Sequence, residues 1–250
     1  MAEGERLKSG VIDLDEKIEG GFVNNSVILL RGKAGTGKTA FCSSFLYAGA
    51  MNKEPGLYVT TEQGGADIKM DIKKMFGWDL ESLEKKGLLK IISITPIATG
   101  DEEKTDRLIK AYISEFTNKI GEAIKSMKAQ RVVIDSVSIL EMFIQNRYIS
   151  RVTLMSLTRM LKRIGVTTMF TEGIAEHGGL LGEEALTEFV VDTVITLEFT
   201  PITERYNRTM LISKMRRTDH STFIHPFQIS KRGLELLKIK TPTIKLGAGP

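Results

Sequence analysis

Gly32-Lys33-Ala34-Gly35-Thr36-Gly37-Lys38-Thr39 follows directly on the apolar run Val27-Ile28-Leu29-Leu30 and Arg31. The octapeptide fits the phosphate-loop pattern G-x-x-x-x-G-K-[ST]. Its setting predicts a buried strand, a tight glycine turn and a helix leaving at Lys38. Backbone N–H groups in such a turn, with the positive end of the new helix, form a concave site for polyphosphate. Gly32, Ala34, Gly35, Thr36, Gly37, Lys38, Thr39 and Ala40 are therefore the candidate binding residues. Lys38 is placed to neutralise the β- and γ-phosphates, and the Thr39 hydroxyl to sit on Mg²⁺. An ordinary strand-to-helix loop rarely meets every fixed position of the pattern after an apolar strand, so nucleotide binding is the stronger reading.

Outward from the loop, strand and helix patterns alternate. Strands are expected at Val27–Arg31, Gly56–Thr61, Leu88–Ile94, Arg131–Asp135, Val166–Thr171 and Val191–Phe199. Helices are expected at Lys38–Met51, Ala66–Phe76, Thr105–Met127 and Ser150–Ile164. The strands carry few polar positions, as a parallel sheet covered on both faces requires. Alternation of this kind marks an α/β layered domain. The last quarter changes character. Thr209–Met215, Phe223–Ile229 and Leu234–Leu237 are strand-like with no helix between them, which predicts an antiparallel extension. The expectation is one domain over residues 1–237 and a basic tail at 238–250.

A phosphate loop indicates nucleotide but not reaction. Arg131-Val132-Val133-Ile134-Asp135-Ser136 is an apolar strand ending in an acid, the Walker B arrangement, which offers Asp135 to help hold the metal through water. Hydrolysis also needs a group to position the attacking water. Leu57-Tyr58-Val59-Thr60-Thr61-Glu62-Gln63 puts Glu62 at a strand's carboxyl end, where ligand chemistry gathers in open parallel sheets. A solvated strand-end glutamate is the plainer alternative for Glu62.

Several further stretches resemble the KaiC branch of the RecA superfamily. They are Ser9-Gly10 with Gly20-Gly21, Val59-Thr60-Thr61-Glu62, Phe76-Gly77-Trp78-Asp79-Leu80, Lys214-Met215-Arg216-Arg217-Thr218-Asp219-His220 and Ile224-His225-Pro226-Phe227. The similarity runs from about Leu7 to Leu237 and is closest to single-domain KaiC-like and RadA-paralogue ATPases. It implies a RecA-like core that binds ATP and Mg²⁺ between subunits of a homo-oligomeric, hexameric ring. By resemblance Glu62 is the catalytic glutamate, Thr39 the direct Mg²⁺ ligand and Asp135 its outer-shell partner. Lys214 and Arg216 would reach the γ-phosphate of a neighbouring subunit, and Thr218, His220 and Ser230 would lie near ribose or base. Residues i and i+2 of a strand share one face, and two cations presented together suit a finger supplied in trans. A protected edge strand is the plainer alternative for the pair. The chain departs from the family at Gln63, where a second acid is common, and at Arg217, where glycine is common. The first departure predicts slow turnover.

At 250 residues, 42% apolar and 26% charged, the chain has the make-up of a globular protein with a sizeable core. It has neither an apolar run long enough to span a membrane nor a signal-like start. A lone cysteine, Cys42, fits a reducing cytoplasm and reads as a small packed thiol. The net charge of +4 resides entirely in residues 231–250, leaving the body balanced. The loop Glu172–Ala185 carries Glu172, Glu176, Glu183 and Glu184 with no Lys or Arg, which argues against threading DNA. Arg147 and Arg151 in the stretch Glu141–Arg151 leave DNA open as an alternative. The leading expectation is a slow cytoplasmic ATPase whose ATP state sets the conformation shown to an unidentified protein partner. A DNA-binding recombination modulator and a self-phosphorylating scaffold are the other readings.

Overall fold

The computed structural model describes residues 5–94, 105–144, 146–174, 186–202 and 205–238. In chain order the strands are β1 (Arg6–Leu7), β2 (Phe22–Val23), β3 (Val27–Gly32), β4 (Gly56–Thr60), β5 (Leu89–Ser93), β6 (Arg131–Asp135), β7 (Thr167–Gly173), β8 (Thr193–Ile202), β9 (Arg205–Met215), β10 (His225–Ser230) and β11 (Gly233–Leu236). The helices are α1 (Lys38–Met51), α2 (Gly65–Phe76), α3 (Leu80–Lys85), α4 (Thr105–Met127), α5 (Ser138–Phe143), α6 (Arg147–Ile164) and α7 (Leu186–Val190). Nine strands form one sheet in the order β11-β10-β9-β8-β3-β7-β6-β4-β5, and β1 pairs with β2. From β8 to β5 every pairing is parallel. β9, β10 and β11 are added antiparallel beside β8. The expected α/β class, with a mainly parallel sheet and an antiparallel C-terminal extension, is borne out.

The sheet separates two cores. One holds Phe41, Cys42 and Phe45 of α1 and Ile68 and Ile72 of α2 against Ile28, Leu30, Tyr58 and Val133. The other packs Phe116 and Ile120 of α4 and Leu157 and Leu161 of α6 against Leu29, Val59, Val132 and Phe170. Strands β3 and β4 are buried at every position, which explains why their sequences read as unbroken apolar runs rather than alternating ones. Helix α1 buries Ala40 through Leu46 in succession, so it has no polar stripe and lies deep beneath the sheet.

The differences from expectation lie at element ends and in short elements that were not expected: β1, β2, α3, α5 and α7. α6 begins at Arg147, before the expected Ser150, because the Asn146 side chain accepts from the N–H groups of Tyr148 (3.0 Å) and Ile149 (3.1 Å). Among the short elements, Asp79 starts α3 by accepting from the Ser82 N–H at 3.1 Å. The second extension strand begins at His225, leaving Phe223 and Ile224 exposed in the preceding loop. Residues 175–185 of the acidic loop, with His177, and the tail from 239 lie outside the described residues.

Register places the chemistry. Gly32 lies opposite Gly173, and Thr60 opposite Asp135, so the carboxyl ends of β3, β7, β4 and β6 share one edge. The opposite edge is fixed by Asp192, which exchanges bonds with the Val27 backbone: N–H to Oδ2 at 2.9 Å and N–H to C=O at 2.8 Å.

Candidate nucleotide site

β3 delivers the chain into the phosphate loop at a point where only glycine fits. A Cβ on Gly32 would stand 2.5 Å from the Leu197 carbonyl oxygen and 2.8 Å from Thr36 Oγ1. Gly37 has φ +111°, and a Cβ there would meet Ile229 Cδ1 at 3.0 Å. The loop can therefore turn tightly and leave its backbone bare, as a polyphosphate cradle must. Thr36 is buried and turns its hydroxyl onto the Lys33 carbonyl at 2.8 Å, so it shapes the loop rather than lining the cleft. Ala34, Gly35, Gly37, Lys38, Thr39 and Ala40 line a cleft of about 440 Å³, with Thr60, Glu62, Gln63, Met75, Asp135, Arg208 and Ile229 completing its walls.

Lys38 Nζ donates to the carbonyls of Gly32 (2.6 Å) and Lys33 (3.0 Å). Burial lowers its pKa, while the nearby Asp135 and Glu62 carboxylates act in the other direction. Thr39 Oγ1 lies 3.2 Å from Asp135 Oδ2. Asp135 also accepts from Tyr58 OH on Oδ2 and from Thr171 Oγ1 on Oδ1, each at 2.5 Å. Burial, followed by the Asp135 charge, raises the Tyr58 pKa well above its ordinary value, so the phenol stays a donor.

Glu62 is exposed in the turn after β4, where Thr60 and Gln63 bond reciprocally: Thr60 Oγ1 donates to the Gln63 carbonyl at 2.8 Å and accepts from its N–H at 3.2 Å. Ser136 Oγ donates to Glu62 Oε1 at 2.5 Å, and Thr61 Oγ1 accepts from Ser136 N–H at 2.9 Å. The turns after β4 and β6 are thus tied together, and Glu62 is aimed into the cleft beside Lys38.

The remaining predicted residues divide between the two ends of the sheet. Ser230 ends β10 near the phosphate loop, next to Ile229 of the cleft wall, and accepts from Arg232 N–H at 3.2 Å. Lys214, Arg216, Thr218 and His220 lie at the opposite end. Lys214 Nζ, on the sheet face away from α1, donates to the carbonyls of Glu188 (2.6 Å) and Val191 (2.8 Å) at the end of α7. Burial and the neighbouring Arg216 lower its pKa. Arg216 approaches Asp192 Oδ1 at 3.6 Å, and its N–H donates to the Asp192 carbonyl at 3.0 Å. Thr218 Oγ1 accepts from Arg6 at 3.1 Å, and His220 Nδ1 lies 3.2 Å from the Ser221 carbonyl oxygen.

One correction follows. Strand alternation does not pair Lys214 with Arg216: β9 ends at Met215, so Arg216 belongs to the turn beyond it. Thr218 and His220 follow that turn, at the opposite end of the strands from Ser230. Arg217 has φ +61° in that turn, the left-handed conformation that glycine adopts without cost.

Sequence reading missed Tyr58, Thr171, Ser136, Met75, Arg208 and Ile229. Tyr58 and Thr171 become visible only once β4 and β7 are known to flank β6. Arg208 approaches the Gly35 carbonyl (3.3 Å) from the far side of a long hairpin, and nothing local in its sequence marks it. Cys42 is fully buried, its Sγ 3.7 Å from Met169 Sδ, a packed thiol as expected.

A parallel sheet whose strand ends bring together a glycine turn, a lysine, a hydroxyl and two carboxylates defines a phosphate-loop nucleotide-binding protein. Comparison with known proteins narrows the class. Residues 7–241 match the family model described as the KaiC ATPase. A UPF0273 protein of Methanopyrus kandleri is 32% identical over 235 residues, covering 93% of this chain and 92% of that protein. The circadian clock oscillator protein KaiC of Parathermosynechococcus lividus is 34% identical over 235 residues, 94% of this chain but 42% of its own length. The crystal structure of a KaiC-like protein from Pyrococcus horikoshii superposes with a TM-score of 0.80 at 33% identity, covering 94% of this chain and 99% of that one. The chain belongs to the KaiC ATPase family.

Proposed function

We propose that this protein is a Mg²⁺-dependent ATPase that hydrolyses ATP slowly and whose site is completed by a second copy of the chain. The observation that carries the proposal is the convergence of Lys38, Thr39, Asp135 and Glu62 on one cleft. Its volume lies within the range of small-molecule sites. Bare loop backbone and the first N–H groups of α1 suit a triphosphate. The Thr39–Asp135 pair suits a hard divalent cation that keeps part of its water shell. When bound, that cation would supply charge neutralisation on the phosphates.

Within this reading Lys38 leaves the carbonyls of its own loop for phosphate oxygens. Glu62, oriented by Ser136, polarises a water towards the γ-phosphate. Met75 and Ile229 supply apolar wall for ribose or base. The single-acid turn Glu62-Gln63 gives the attacking water one carboxylate, consistent with slow turnover.

Lys214 and Arg216 support the second copy. They sit at the other end of the sheet from Gly32, separated by the length of β3, roughly 17 Å at the usual strand rise. Their own cleft is out of reach, whereas a head-to-tail neighbour would receive both cations at its γ-phosphate. Head-to-tail contacts that close generate rings, and a hexamer is the form we propose. Phosphate release from Mg-ATP by wild type and Glu62→Gln tests the assignment. A large loss supports Glu62 as the positioning base, and equal rates remove it from catalysis.

A further inference from the structure

The carboxylate of Asp135 is held from both sides by the strands that flank it. In the sheet order β7-β6-β4, Asp135 ends the middle strand. Thr171 of β7 donates to Oδ1 at 2.5 Å, and Tyr58 of β4 donates to Oδ2 at 2.5 Å. The register makes this geometry. Thr60 is the partner of Asp135, so Tyr58 starts two residues back and its phenol must run about 6.6 Å along the strand. Ile134 pairs with Phe170, so Thr171 comes level with Asp135. Both donors are rigidly seated: Tyr58 is 1% exposed and Thr171 0%.

We propose that Tyr58 is a positioning residue for the divalent cation, its hydroxyl locking the Asp135 carboxylate in the plane that accepts metal-bound water beside Thr39. This inference rests on the nucleotide-site reading given above and deepens it. The terminal torsion of an aspartate is broad and roughly two-fold, so the carboxylate has little intrinsic orientation. Thr39 alone is a weak tether at 3.2 Å, and in the proposed site its oxygen would also hold the metal. Tyr58 supplies a buried donor at 2.5 Å, and its hydroxyl also meets the Thr39 side chain. A carboxylate has about four acceptor positions, and three hydroxyls direct which remains for water. Outer-shell donors of this kind commonly change metal affinity by 10- to 100-fold when removed.

Tyr58→Phe keeps the ring and deletes only the hydroxyl. The measurement is Mn²⁺ affinity of the full chain in the presence of saturating ADP, read by electron paramagnetic resonance of free Mn²⁺. ADP affinity in EDTA and the melting temperature are read in parallel. The expected result is an Mn²⁺ dissociation constant raised about tenfold, with ADP affinity in EDTA unchanged. Thr171→Val raises the same constant, and Thr171→Ser restores it. An Mn²⁺ constant within about twofold of wild type overturns the proposal, whatever the melting temperature does. So does an equal loss of ADP affinity with and without metal, because that is the mark of general disorder in the loop. A wild-type chain that binds ADP with no Mn²⁺ enhancement instead overturns the nucleotide-metal reading on which the inference stands.

Discussion

The carboxyl end of the parallel sheet gathers acceptors around a bare loop, whereas the other end gathers cations that the chain itself holds down. At the first, Asp135 and Glu62 are each oriented by hydroxyls, and Lys38 rests on loop carbonyls. At the second, Lys214 caps the carbonyls at the end of α7, and Arg216 and Lys162 share Asp192. The first end has the shape of a binding site, with Lys38 and Arg208 among its walls. The second presents Lys214, Arg216 and Lys162 close together around Asp192 and the end of α7. In the proposed assembly these two ends would meet when copies stack head to tail.

The comparison can be broken at either end. The largest expected effect is at the cationic end, where a finger supplied in trans is worth about 10³-fold or more in turnover. Arg216→Ala should lower ATP hydrolysis by about that factor and leave ADP binding to the isolated chain intact. Loss of ADP binding would mean that Arg216 serves its own cleft. At the acceptor end, Glu62→Gln should reduce phosphate release about 10²-fold with little change in ATP affinity. A parallel fall in affinity would assign Glu62 to binding instead.

β6 carries the contrast within a single strand, with Asp135 at one end and the fully buried Arg131 at the other. The Arg131 guanidinium pairs with Glu54 at 2.5 Å, donates to the Lys8 and Phe45 carbonyls, and lies over the Phe45 ring. Removing one partner of such a pair strands a buried charge, so Glu54→Ala should cost about 3 kcal/mol of stability. Urea unfolding monitored by circular dichroism measures it. A cost below about 0.5 kcal/mol would show that the two carbonyls suffice for Arg131.

The smallest effect concerns pH. Burial, with Lys17 beside it, holds the His225 imidazole below its ordinary value, and Ser221 Oγ lies 2.8 Å from its Nε2. As pH falls below about 6.5, the unfolded chain takes up a proton that the folded loop resists. Stability therefore declines with acidity in that window and recovers as pH rises. Melting temperatures at about pH 7.5 and 5.5 should differ less in His225→Asn than in wild type. An unchanged difference would leave His225 without a part in acid sensitivity.

The parallel half of the fold was legible because buried strands, glycine turns and helix periods are local signals. Val27–Thr39 contained a strand, a loop and a helix start in thirteen consecutive residues. The site was legible where chemistry follows immediately on a strand, as at Asp135 and Glu62. It was illegible where sheet order decides neighbours: Tyr58 and Thr171 lie 77 and 36 residues from Asp135 and carry no local mark. The alternation argument for Lys214 and Arg216 failed because β9 ends between them and its irregularity depends on β8 across the hairpin. Long-range pairing, and not composition, fixed those positions.

The central claim is that one chain supplies the cleft and another the cations, and mixing subunits tests it most directly. Arg216→Ala and Glu62→Gln chains are each deficient alone. Mixed in equal amounts with Mg-ATP, they form interfaces in which an intact Glu62 cleft meets an intact Arg216. Phosphate release should then rise well above that of either variant alone, to a fraction of the wild-type rate. A mixture no faster than the average of its parts would contradict a site shared between copies.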